Sequence, residues 1–71
     1  MALFQKTLAR ASETVSFRIE HVAAAGWRTT KLANDRLTHQ QHRTEWHRVE
    51  RDVARFALEI EALRRQGWRD A

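Results

Sequence analysis

The chain contains no cysteine, no proline, no tyrosine and only two glycines in 71 residues. Without cysteine there is neither a disulfide staple nor a cysteine-based metal site. The two glycines stand too far apart to form a Gly-rich phosphate loop, and no serine lies in a nucleophile motif. The carboxylates are scattered, with no sequence feature that would raise their pKa values for acid–base work. The sequence therefore predicts no catalytic residue, no cofactor, no small-molecule substrate and no enzyme activity. No apolar run approaches the roughly 20 residues that span a bilayer, and no secretory hydrophobic region is visible. Residues 1–18 are acid-poor and hold Ser, Thr and Arg in the manner of a transit peptide, but Glu13 argues against cleavage. Cytoplasmic localisation is the default expectation.

What is present is basic. Lys and Arg total 13 against 9 Asp and Glu, a net charge of +4, and only Lys6 and Lys31 are lysine. Arginine suits bidentate contact with carboxylate or phosphate and stacking on aromatics. A chain this short is a single domain, residues 1–71. Below about 70–80 residues one core rarely supplies more than about 3–5 kcal/mol, so oligomerisation is the natural remaining staple.

Both glycines sit in the same tripeptide, Gly26-Trp27-Arg28 and Gly67-Trp68-Arg69. Each follows a stretch of helical periodicity and reads as a helix C-cap, with Trp27 folding back on Val22 and Trp68 on Leu63. Phe4, Leu8, Ala11, Val15, Val22 and Ala25 form a stripe at spacings of three, four and seven, with Ile19 beside it. Trp46, Val49, Val53, Phe56, Ile60 and Leu63 alternate steps of three and four as an a/d seam. The seam projects back through His42, His39 and Asp35 to Leu32, with a threonine N-cap at Thr29 or Thr30 or a later start at Asn34-Asp35. Arg36, Arg43 and Arg64 then fall at heptad position e, and Glu45, Asp52 and Glu59 at position g. Aligning Arg10–Arg28 with Arg51–Arg69 gives matches at six positions, as in a duplicated helical unit. Against this, Thr14–Glu20 alternates polar and apolar residues as a strand does. A lone strand lacks a partner, so helix is the favoured reading.

The expected fold is all-α: an antiparallel two-helix hairpin, residues 3–25 and 30–66, packing into a four-helix bundle or onto a partner. Its core is expected to be Phe4, Leu8, Val15, Ile19, Val22, Val49, Val53, Phe56, Ile60 and Leu63. Such a hairpin exposes the outer side of its stripes, so the leading functional expectation is a non-catalytic interaction module, a homodimer or a small adaptor subunit of a larger complex. Its interface would use Phe17, Trp27, Trp46, Val49 and Val53 together with Phe56, Leu58, Ile60, Leu63 and Trp68. His39 and His42 lie three apart, metal-competent spacing on a helix, but no further ligand accompanies them and no metal site is predicted.

The alternative is a small basic nucleic-acid-binding dimer, with Arg28, Lys31, Arg36, Arg43 and Arg48 as contacts. In size and architecture this resembles the RNA-binding helical-hairpin dimers of plasmid copy control. A variant uses Thr14–Glu20, which looks like the strand of ribbon-helix-helix repressors, with Thr14, Ser16 and Arg18 turned outward to the major groove. A third reading places the first helix on a membrane surface as a basic amphipathic element.

Overall fold

The computed structural model describes residues 2–71, and it is a sheet with one helix. Strands β1 (Ala2–Arg10), β2 (Glu13–His21), β3 (Trp27–Ala33) and β4 (Arg36–Arg43) run as an antiparallel meander. Helix α1 (Trp46–Arg65) follows, and the two-residue β5 (Arg69–Asp70) returns to the far edge beside β1, giving the order β4-β3-β2-β1-β5. Two-residue turns close the two outer hairpins. Asn34 and Asp35 both take positive φ, 52° and 65°, as a type I′ turn requires. Asn34 also locks this tip to β2, its Oδ1 accepting from Thr14 N at 2.9 Å while its own N–H donates to Thr14 O at 2.8 Å. At the other turn Ala11 is held at φ 54°.

Side chains alternate across each strand, so the register sorts them into two faces. Leu8, Phe17 and Ile19 lie on the helix side and are fully buried. Helix α1 presents Val49, Phe56 and Ile60 to them, and Trp68 closes the core at 6% exposure. Phe17 and Phe56 pack with ring centroids 5.1 Å apart. Phe4, Val15, Trp27, Val53 and Leu63 are partly buried against this cluster. The β3–β4 half of the layer under the helix is polar instead. Arg43 donates two hydrogen bonds to Asp52, at 2.9 and 3.1 Å, and Arg55 reaches the same carboxylate at 3.0 Å. The bond to Asp52 raises the Arg43 pKa further. Lys31 meets Glu59 at 2.8 Å, and Thr29 is fully buried beside them.

The helix stops as its glycine suggests. Trp68 N–H donates to Leu63 O and Gly67 N–H to Arg64 O, both at 3.1 Å, with Gly67 at φ 94°. This is the Schellman arrangement.

The all-α hairpin, the coiled coil and the four-helix bundle are therefore incorrect. Residues 3–25 fall in β1, β2, their connecting turn and a 3-10 turn at Ala23–Ala25; of residues 30–66, only Trp46–Arg65 is α-helical. The reason is periodicity. A four-residue step such as Phe4 to Leu8 returns to the same face of a strand as well as of a helix. The odd step from Leu8 to Val15 crosses the Ala11-Ser12 turn. The a/d seam at 46–63 is real, but it packs on a sheet, and Arg36 and Arg43 belong to β4 rather than to a heptad. Strand Thr14–Glu20 does have partners: β1 on one side and β3 on the other. The membrane-surface helix at 3–25 disappears with the hairpin. The internal alignment equates strand β2 and its flanking turns with a helix and marks no repeat of secondary structure.

Candidate nucleic-acid interface

Among the described residues no element covers the face of the sheet opposite α1. Its residues follow from the register: Gln5, Thr7 and Ala9 from β1, and Thr14, Ser16, Arg18 and Glu20 from β2. Strand β3 adds Arg28, Thr30 and Leu32, and β4 adds Leu37, Gln40 and His42. Arg69, directly opposite Ala9, extends the face onto β5. Three arginines thus share this face with amides, hydroxyls and the exposed Leu37. Every Phe and Trp lies off this face, on the helix side or on the helix itself.

One carboxylate organises the cations. Glu20 sits opposite Arg28 on β3 and two residues from Arg18 on its own strand. Arg28 Nε donates to Glu20 Oε1 at 3.0 Å, and the Arg18 guanidinium lies 3.2 Å from Oε2. The hydrogen bond from Arg28 holds the Glu20 pKa below the usual carboxylate range, with the charge of Arg18 adding to it. Both arginine side chains keep close to half their surface exposed. Glu20 fixes their position and leaves their remaining donors pointing outward. Arg69 has no carboxylate within salt-bridge distance among the described residues.

The other acids lie away from this face. Asp52 and Glu59 sit in the layer beneath the helix. Asp70 points to the helix side, held by Lys6 at 2.7 Å and Arg64 at 2.9 Å, and these bonds lower its pKa. Glu13 and Asp35 are at the hairpin tips.

The five cations singled out from the sequence are not brought together. Arg28 lies on the open face, and Arg36 at the β3–β4 tip. Lys31 and Arg43 turn under the helix to Glu59 and Asp52, and Arg48 is in the first turn of α1 beside Glu45. Arg18, Ser16 and Thr14 do face outward from a strand, as the ribbon reading expects, but the strand pairs within its own chain. Arg69 and Glu20 were missed. The available signal was alternation: a residue that follows a buried tryptophan at a strand start must turn outward. His39 and His42 fall on opposite faces of β4, because three residues is an odd step on a strand. Among the described residues no group of three or more His, Asp or Glu is placed to hold a metal ion, and no helix is long and apolar enough to cross a membrane.

Of the residues expected at an interface, Phe17, Val49, Phe56, Ile60 and Trp68 form the intramolecular core, and Val53, Leu63 and Trp27 pack against it. Trp46 and Leu58 are exposed, at 47% and 73%. Trp46 packs tilted against Trp27 with centroids 5.4 Å apart, and Trp27 meets His21 at 5.6 Å. Leu3, Phe4, Trp46, Glu50 and Val53 line a shallow groove of about 340 Å³. Comparison with known families, curated proteins and solved structures finds no match to this chain.

Proposed function

We propose that this protein binds double-stranded nucleic acid through the open face of its sheet, with Arg18, Arg28 and Arg69 contacting phosphates. The observation that carries the reading is this uncovered polar face, which holds three outward arginines and a single carboxylate, itself spent on positioning two of them. Gln5, Gln40 and Thr7 supply neutral hydrogen-bonding groups around them. The absence of Phe and Trp from the face favours a duplex over a single strand, since single-strand binders stack successive bases on aromatic side chains. The need for self-association also weakens, because the helical stripe that would have driven it is covered by the sheet.

Fluorescence anisotropy of a labelled duplex over a range of salt concentrations tests the reading. Three phosphate contacts give a slope of log affinity against log salt of about −2.7. Replacing Arg18, Arg28 and Arg69 together by glutamine should weaken binding at least about tenfold and flatten that slope. Salt-insensitive binding, or binding unchanged by the triple substitution, defeats the proposal.

A second reading, the adaptor, is favoured by one observation. Leu3 and Trp46 remain about half exposed around the groove with Phe4 and Val53. Such a groove suits one apolar side chain of a partner protein. Substituting Trp46 by serine should abolish capture of that partner without touching the sheet face.

A further inference from the structure

We infer that the outer edge of β4, over His39–Arg43, is a docking site for an extended acidic segment of another protein, which adds to the sheet as one more strand. This surface is distinct from the open face, and the inference does not rest on nucleic-acid binding.

Strand β4 ends the sheet. Its residues pair with β3 on one side and, among the described residues, with no strand on the other. An edge of this kind offers a row of unpaired backbone donors and acceptors, and proteins normally blunt it. Among the described residues the blunting devices are the inward-pointing Arg43 and a register shift at the tip half of the strand, where Thr38 is extra and its hydroxyl donates to Lys31 O at 3.0 Å. From His39 to Arg43 the ladder with β3 is regular, and the stretch contains no proline, lysine or acid.

Charge selects the occupant. No acidic residue lies anywhere in residues 36–43, which carry Arg36, His39, His42 and Arg43. The helix flank above this edge is basic as well. Arg55 reaches Asp52, which Arg43 of β4 also holds, so that side of α1 overlies β4. Arg48 precedes Asp52 by one helical turn and lies on this flank, while Arg51, one turn before Arg55, projects from the solvent side of the helix next to it. Arg51 has no carboxylate partner among the described residues. The acids on this side, Asp52, Glu59 and Glu45, are already spent, on Arg43 and Arg55, on Lys31 and on Arg48. A second copy of this chain would bring β4 against β4 and set these cations against one another.

Two side chains beside the edge lack partners. His39 Nε2 and Gln41 Oε1 are buried from solvent without a hydrogen bond, and both sit on the helix side of β4. Unsatisfied buried polar atoms are uncommon and costly. A carboxylate on the incoming strand can accept from the His39 ring N–H and from the Gln41 amide once that amide turns over. Backbone pairing would then supply affinity, and the alternate acidic side chains selectivity.

The test uses the full chain and an eight-residue peptide alternating threonine and glutamate. Its controls are the same peptide with lysine for glutamate and one with proline at two central positions. Amide hydrogen exchange is followed residue by residue. The acidic peptide should slow exchange at alternating amides within His39–Arg43 at least about tenfold at millimolar peptide. The lysine and proline peptides should not, and Arg36→Glu with Arg51→Glu should remove most of the effect. The inference is overturned if the acidic peptide leaves these amides unprotected, if the lysine peptide protects them equally, or if they are protected without peptide in a concentration-dependent way, which assigns the edge to a second copy. Protection by duplex DNA in place of the peptide would also overturn it, making the edge part of a nucleic-acid surface.

Discussion

The tripeptide Gly-Trp-Arg occurs twice, once between two strands and once after a helix. Gly26 follows the 3-10 turn at Ala23–Ala25 and takes φ 98°, while Gly67 completes a Schellman motif at φ 94°. The settings differ, but each glycine is followed by extended chain. Trp27 opens β3 and Arg69 opens β5, so strand alternation sends both tryptophans to the helix side and both arginines to the open face. The glycine lets the chain reverse, and the strand period then sorts the next two residues. Two segments distant in sequence thus deliver the same pair, an apolar anchor inside and a guanidinium outside, to two places on one sheet.

The two copies differ in how much depends on them, and substitutions expose this. Trp68 is 6% exposed and in the core, with the Arg10 guanidinium 5.0 Å over its ring. Trp68→Ala should cost about 3–5 kcal/mol, enough to unfold most of the chain, whereas Trp27→Ala, at a half-buried site, should cost clearly less. Urea midpoints of the two variants compare them directly. Next comes Gly26→Ala. A Cβ there would run into the backbone carbonyl of Arg43, and the residue would still be held at positive φ. A loss of about 2–4 kcal/mol is expected. Gly67→Ala meets nothing closer than the flexible Arg10 side chain at 3.9 Å and should cost only about 1 kcal/mol. Equal losses at the two glycines would show that β3 does not need its close approach to the end of β4.

The smallest effect is on pH. Glu20 beside Arg28 and Asp70 beside Lys6 and Arg64 both have lowered pKa values. A carboxylate whose pKa is lower folded than unfolded adds stability above its unfolded value and loses it as pH falls through the folded one. The melting temperature should therefore drop below about pH 4. Arg28→Gln should erase the Glu20 part, so that wild type and variant converge in strong acid. A constant difference between them down to pH 2 would remove Glu20 from the account.

The helix could be read from the sequence because the stripe from Trp46 to Leu63 is unbroken and long. The sheet could not, because its inward positions are chemically mixed. On β1 the helix side runs Phe4, Lys6, Leu8; on β3 it runs Trp27, Thr29, Lys31, Ala33; on β4 it includes His39, Gln41 and Arg43. Lys31 and Arg43 lie inside only because Glu59 and Asp52 come from the helix to meet them, pairings 28 and 9 residues apart that no local pattern announces. Only β2, with Val15, Phe17 and Ile19 inward, alternates cleanly. The open face is hidden in the sequence for the same reason. Arg18, Arg28 and Arg69 are far apart along the chain, and Glu20 joins the first two only across a strand pair.

The most direct test is to titrate the 15N-labelled protein with a short duplex and map the amide shifts. The account expects them to cluster on the open face, at Arg18, Thr30 and Gln40 and at the two outward arginines Arg28 and Arg69, and to fade together as salt rises. Shifts confined to α1 or to the Leu3–Trp46 groove, or no shifts at low salt, would contradict it.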